Sequence, residues 1–349
     1  MNRDFYLTLA KNGQAFPVAT HLTLHEQPAA DLPAILLDGQ RLGQVLATSA
    51  RRYRNPLAVP LMDLMLEKQS LLQSLGIPAE LIDTYHFTAP PADGAPAFTF
   101  TPRMTATCAA LRYIAAETDL VPVGMCIGPF SLMTKLLSDP ITPVFLAAGG
   151  ADGEEEPEVA LMETCLRLSL RVITEYVTRQ IAAGARALFV CEPAANLVYF
   201  SPNQLAEDFG IFERLVIEPN RQLRELLRQH HVELIFHDCG ELTDGMVSRF
   251  AKLEPVMLSL GSSRKLWEDA RLVPDNIVLY GNLPSKHFYS DETYPVARVR
   301  AMAAELREKM RATGHPFILG SECDVLSVPG SEQIIQDKVN AFTAWSGAP

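Results

Sequence analysis

Positive charge, cysteine and long apolar runs are all scarce in this 349-residue chain, and each shortage removes a class of function. Its 30 lysines and arginines stand against 41 acidic residues, a formal net charge of −11, and no basic run exceeds pairs such as Arg51-Arg52. A chain of that sign repels a phosphate backbone, so nucleic acid is excluded as a partner. No apolar run approaches the roughly 18 residues that span a bilayer. Phe5-Tyr6-Leu7-Thr8-Leu9-Ala10 is too short for the core of a signal peptide. No membrane association is expected, and the expected compartment is the cytoplasm. The six cysteines, Cys108, Cys126, Cys165, Cys191, Cys239 and Cys323, lack the tight spacing of a secreted disulfide framework and fit a reducing environment. Equally missing are Gly-x-x-x-x-Gly-Lys-Ser/Thr, Gly-x-Gly-x-x-Gly, His-Glu-x-x-His and Gly-x-Ser-x-Gly. The chain therefore offers no phosphate loop, dinucleotide fingerprint, zincin helix or serine-nucleophile elbow.

What is present is an alternation of short apolar runs with amphipathic stretches. Eight runs read as strands: residues 17–24, 57–61, 121–126, 186–191, 232–237, 256–260, 277–280 and 316–320. Most are continuous rather than alternating, as strands buried on both faces of a parallel sheet are. Helical periodicity fills the gaps, at 42–54, 64–75, 105–116, 158–183, 202–229, 241–250, 263–271, 295–311 and 331–344. Gly184 and Gly314 follow two of the long helical stretches, and Ser331 stands where it can cap the last. Eight βα units at this length predict an α/β fold of the (β/α)8 TIM-barrel type. Two doubly wound domains are the alternative architecture, yet no linker is evident. The irregular stretches near 88–103 and 138–157 each fall inside a βα repeat, so a single barrel domain over 1–349 is expected, with loop insertions at those places.

Parallel barrels carry their chemistry at the C-terminal ends of the strands. Here those ends read Asp63 with Glu67 a turn beyond, Cys126, Cys191-Glu192, His237-Asp238-Cys239, Asn282, and Glu322-Cys323. In His237-x-Cys239 an imidazole and a thiol leave one strand end toward the same side. Cys323, after the last strand, is the natural third ligand. Three protein ligands with one open position is the pattern of catalytic zinc, whereas four would be structural. Two strands separate Cys239 from Cys323, so the pair must meet across the mouth. Each residue also has a plainer reading, because a strand-end histidine is often a hydrogen-bonded core residue and a buried cysteine a small apolar one. Cys108 and Cys165 fall within helices and read as core; Cys126 and Cys191 either line the site or pack. Glu192 ends an apolar strand and must be solvated, paired or metal-bound. His21 and His25 either reach the mouth or make ordinary polar contacts.

With these residues in view, the chain resembles the uroporphyrinogen decarboxylase superfamily. Within it, the chain is similar to the zinc-dependent, cobalamin-linked methyltransferases that methylate a thiol such as coenzyme M. The likeness runs through Pro60-Leu61-Met62-Asp63-Leu64-Met65-Leu66-Glu67, Gly128-Pro129-Phe130-Ser131-Leu132, Glu192-Pro193 with Ser201-Pro202, Phe236-His237-Asp238-Cys239-Gly240, Gly281-Asn282-Leu283, and Phe317-Ile318-Leu319-Gly320 leading to Cys323. His-x-Cys with a distant Cys marks the methyltransferase branch. The arginine-containing N-terminal segment of the decarboxylases has no counterpart, since Thr20-His21-Leu22-Thr23-Leu24 stands in its place. Glu322 before the last cysteine and Glu241 after His-x-Cys-Gly replace the Gly and Asn usual in the methyltransferases, which leaves the acceptor thiol open.

The resemblance implies a uroporphyrinogen decarboxylase-like barrel with His237, Cys239 and Cys323 as ligands of Zn2+. Asp63 and Glu192 are then expected among the catalytic residues, and Asn282 at a cofactor contact. The implied reaction carries a methyl group from a corrinoid (methylcobalamin), held on a separate corrinoid protein, to a small thiol bound as zinc thiolate. Water, Glu192 or Glu322 would hold the open position before the thiol arrives. The alternatives are a metal-free decarboxylase-like lyase and a non-catalytic barrel that serves a corrinoid methyl-transfer system.

Overall fold

The computed structural model describes residues 2–91 and 97–344. Among the described residues, seven strands form one parallel sheet in sequential order: β1 (Leu57–Ala58), β2 (Val121–Ile127), β3 (Ala187–Cys191), β4 (Glu233–Asp238), β5 (Met257–Leu260), β6 (Val278–Leu283) and β7 (Phe317–Ser321). Parallel neighbours cannot be joined by a tight turn, so each connection must cross back over the sheet. Helices do this, among them Pro102–Glu117 before β2, Pro157–Ala182 before β3, Glu218–Gln229 before β4, Asp244–Ala251 before β5 and Val296–Thr313 before β7. The sheet curls, and strand alternation sorts its side chains. Val123, Met125, Phe189, Cys191, Ile235 and Tyr280 share one apolar cluster on its concave side. Cys126, Leu188, Val190, Leu234, Phe236 and Leu258 belong to the larger cluster with the helices.

Seven of the expected strands fall on these seven, with β1 shorter than its apolar run. The expected first strand over 17–24 is corrected. Ala15 and Val18 make isolated parallel bridges to Leu319 and Asp324 beside β7, and Thr20–Leu24 is a helix. Thr20, Leu22, Thr23 and Leu24 are all buried. Consecutive burial of that kind suits a short helix wedged between elements, and tertiary packing overrides the β-propensity of the two threonines. Thr20 Oγ donates to Val59 O at 2.6 Å, tying this helix to the chain beyond β1.

Further differences are local. The single helix expected over 202–229 is divided into Pro202–Glu207, Gly210–Phe212, a π-helical turn Glu213–Ile217, and Glu218–Gln229. Pro219 has no N–H to give Leu215 and its ring crowds that carbonyl, so the preceding turn widens. Only Leu266–Asp269 of the expected helix over 263–271 is helical. The expected insertion near 138–157 carries the helix Ile141–Ala148. Of the insertion near 88–103, residues 92–96 lie outside the described residues, and the helix Pro102–Glu117 begins within it.

The brevity of β1 has a structural consequence for the site. Its ladder with β2 stops at Ala58 and Pro122, leaving the β2 backbone beyond that point paired with β3 on one edge and with no strand on the other. Side chains complete the wall instead. Gln180 Oε1 accepts the Met125 N–H at 2.8 Å and Gln180 Nε2 donates to Met125 O at 2.9 Å, while Glu67 Oε1 accepts the Ile127 N–H at 3.2 Å. Buried backbone groups need such partners. Among the described residues, no helix is long and apolar enough to cross a membrane.

Candidate metal centre

Parallel register places Cys191 beside His237 and His237 beside Ser259, at the C-terminal ends of β3, β4 and β5. The His237 ring is buried, with Nδ1 2.8 Å from Ser259 Oγ. With the proton on Nδ1 donated to serine, Nε2 presents a lone pair, and that atom is buried without a hydrogen-bond partner. Cys239, just past β4, and Cys323, just past β7, meet across the mouth with their sulfurs 3.9 Å apart. The ligand atoms of His237, Cys239 and Cys323 all lie within 4.8 Å of one another. The loop after β5 runs directly over this corner: a Cβ at Gly261 would stand 2.7 Å from Cys239 O and 2.8 Å from its Cα, so the close approach admits only glycine.

The residues fit a soft divalent cation. An orphaned buried nitrogen ordinarily costs about 1–3 kcal/mol, and a metal bound at about 2.0–2.3 Å would remove that penalty while joining both sulfurs. The contact between the two thiols shifts them in opposite directions. The S–H···S contact with Cys323, then the His237 ring and the Lys286 ammonium, shift the Cys239 thiol down against the effect of burial. The same contact, together with burial, pushes Cys323 up. Metal binding would take the place of the remaining proton. Burial pulls Lys286 down, but Cys239, Cys323 and Glu322 outweigh it and hold the ammonium charged.

The other expected site residues serve different contacts. Asp63 faces Arg103 at 2.7 Å and accepts the Met65 N–H at 3.1 Å. The pair lines a narrow recess, with a cavity volume of about 20 Å³, together with Pro60, Leu66, Met125 and Tyr176. Glu192 is fully buried and caps the helix Pro129–Leu136, accepting from Phe130 N (3.1 Å), Ser131 N (2.9 Å) and Ser131 Oγ (2.7 Å). Asn220 Nδ2 adds a fourth bond at 2.8 Å. Burial raises the Glu192 pKa, and these hydrogen bonds to its charged form oppose the rise. A Cβ on Gly128 would fall 2.0 Å from the Glu192 carboxyl carbon, which explains glycine in Gly-Pro-Phe. Asn282 Nδ2 donates to Gly261 O (2.7 Å) and Arg264 O (2.8 Å). Glu322 accepts from Ser262 N (3.1 Å) and Lys286 N (3.3 Å). Neither Glu192 nor Glu322 joins the converging ligand group.

Four neighbours escaped the sequence reading as functional residues: Ser259, Met62, Lys286 and Arg103. Ser259 alone had a legible signal, as a hydroxyl in an otherwise apolar strand. His21 and His25, for which either the mouth or an ordinary polar contact was open, lie ring against ring in a tilted pair with centroids 4.4 Å apart, and Ser327 N donates to His21 Nδ1 at 3.2 Å.

Fold and centre together define an α/β protein of sequential parallel strands with a His/Cys cluster at their C-terminal ends. The chain belongs to the uroporphyrinogen decarboxylase family, whose profile, described as Uroporphyrinogen decarboxylase (URO-D), matches residues 49–335. In fold it is similar to a methyltransferase from Methanosarcina mazei, with a TM-score of 0.70 over 99% of this chain and 100% of the other at 15% identity. No curated protein sequence matches it.

Proposed function

We propose that the chain is a zinc-dependent methyltransferase that moves a methyl group from a corrinoid, carried as methylcobalamin on a separate protein, to a small thiol. The observation that carries this reading is the buried, unpartnered Nε2 of His237 within 4.8 Å of the Cys239 and Cys323 sulfurs. The likeness in fold to a methyltransferase supports it. A zinc ion held by His237, Cys239 and Cys323 would bind a thiol as thiolate at neutral pH and keep it nucleophilic.

The residues divide the remaining work. Ser259 fixes the imidazole tautomer. Lys286 supplies positive charge where thiolates gather. Asp63 and Arg103, paired beside the recess, orient the substrate's polar end. Glu192 acts by holding the Gly128–Ser131 turn against the end of β3, and Asn282 by pinning the loop that crosses Cys239. In the reaction the acceptor's S–H proton passes to solvent and its sulfur forms the new S–C bond. That S–C bond would form at the expense of the donor's methyl–cobalt bond, whose electron pair would stay with the corrinoid.

A donor of corrinoid size needs a partner surface. The exposed side chains of Val198, Tyr289 and Leu326, on segments after β3, β6 and β7, support docking of a corrinoid protein over the strand ends. We read the curled sheet as a closed (β/α)8 barrel and single domain. The bridges from Ala15 and Val18 to the β7 side and the Thr20 bond to Val59 support closure. The acidic net charge accords with a partner other than nucleic acid, and we assign the protein to the cytoplasm.

The test is a methyl-transfer assay with zinc-loaded protein, methylcobalamin, and coenzyme M or homocysteine as acceptor. Thiol methylation that disappears in Cys239→Ser and Cys323→Ser is expected. Loss of carboxyl groups from a porphyrinogen by metal-free protein, with no thiol methylated, would replace this reading with the decarboxylase one.

A further inference from the structure

Three protein ligands leave a tetrahedral metal one position short, and the residues around the cluster narrow what fills it. Three nearby carboxylates are engaged elsewhere: Asp63 by Arg103 and the Met65 amide, Glu192 by four hydrogen bonds, and Glu322 by two backbone amides. Asp238 and Asp324 adjoin the ligands in sequence and each keeps one buried oxygen without a partner, yet neither joins the converging group. A different atom already touches the cluster. Met62 Sδ lies 3.7 Å from Cys323 Sγ, and the Cys239 sulfur is 3.9 Å from that same atom. Two sulfurs sharing one tetrahedral zinc, with bonds of about 2.3 Å, stand about 3.8 Å apart. Both sulfur–sulfur distances match that edge.

We propose that the Met62 thioether is the fourth ligand of the resting metal centre and the one a substrate thiol displaces. The inference rests on the metal reading above. Chemistry favours a replaceable role, because a thioether is a neutral, weak donor beside two thiolates and a soft sulfur set suits zinc. Met62 is also placed to move. It is partly buried, lies in the irregular segment between β1 and the helix Leu66–Ser74, and has a flexible unbranched side chain. With neutral imidazole, two thiolates and a neutral thioether, the divalent centre carries no net charge. Exchange of thioether for substrate thiolate adds one negative charge, and the Lys286 ammonium is the cation already facing both cysteines. The displaced group cannot take up a proton, so the proton of the entering thiol must leave to solvent.

Zinc X-ray absorption on the full-length, metal-loaded protein tests this, with Met62→Leu as the variant and 2-mercaptoethanol as the thiol probe. Leucine conserves the volume of methionine, so the fold should be retained. The wild type is expected to show three sulfur neighbours both before and after thiol is added, whereas Met62→Leu starts with two and gains one. Selenomethionine-labelled wild-type protein should show a selenium neighbour at the zinc edge, lost on adding the probe, which requires no mutation. Stoichiometric zinc with two sulfurs in both proteins and no selenium neighbour would overturn the Met62 assignment and leave the three-ligand site standing. Wild-type protein that binds no zinc would overturn the proposed function, and Met62's role with it.

Discussion

Ser259 and His237 stand opposite each other in the β4–β5 register, and the serine Oγ lies 2.8 Å from the imidazole Nδ1. This contact decides which nitrogen faces the two cysteines. A ligand histidine gains basicity and a fixed orientation from such an outer partner, whose loss typically costs 10–100-fold in metal affinity. Ser259→Ala should therefore weaken zinc binding by about 10–100-fold in competition with a chromophoric chelator, with the unfolding transition nearly unchanged. Unaltered affinity would show that the tautomer is set elsewhere.

Gln180 is predicted to matter for stability out of proportion to its polarity. Its amide stands in for a missing strand by pairing both backbone groups of Met125. Gln180→Leu orphans a buried N–H and a buried C=O at about 1–3 kcal/mol each. Urea unfolding should show a loss of about 2–6 kcal/mol, and a loss below 1 kcal/mol would mean that water or a backbone shift replaces the amide.

Glu67 gives the fold a pH dependence of definite sign. Complete burial raises its pKa from 4.5 to about 8, and its Oε2 has no partner. The native state therefore holds a proton that the unfolded chain releases near pH 4.5. Its stabilising contribution is complete below that pH and is lost as pH rises through about 8. At 1.36 kcal/mol per pKa unit the swing is on the order of 5 kcal/mol. Glu67→Gln keeps an acceptor for Ile127 N and should flatten the profile, matching the wild type near pH 5 and exceeding it above pH 8. Parallel stability curves for the two proteins would contradict the assignment.

Asp63→Ala should separate substrate handling from metal binding. The substitution leaves Arg103 without the carboxylate it faces at 2.7 Å, while His237, Cys239 and Cys323 keep their places. A fall in kcat/KM for thiol methylation is expected at full zinc content. Parallel loss of zinc and activity would instead make Asp63 part of the metal site.

The sequence reading and the structure agree where one pattern dominates. Continuous apolar runs ending in polar residues located β2 to β7, and His-x-Cys with a distant Cys named a cluster that converges in space. Agreement fails where tertiary contacts override local preference. Thr20–Leu24 looks like a strand because threonine favours strands, yet its four buried side chains and the bond to Val59 make it a helix. Gln180 replaces a ladder partner that only the folded sheet shows to be missing. Glu192 is fully legible as a carboxylate needing partners, but its partners, the amides of Phe130 and Ser131, appear only once β2 and β3 lie side by side. Met62 carries no motif of its own, and its contact with Cys323 spans most of the chain.

The central claim, that His237, Cys239 and Cys323 hold one metal ion, is tested most directly by elemental analysis joined to native mass spectrometry of reduced, tag-free protein. The wild type should carry about one zinc per chain, in keeping with a three-ligand catalytic site, and Cys239→Ser and Cys323→Ser should each lose most of it while remaining folded. Wild-type protein without zinc, or equal zinc in all three proteins, would contradict the account.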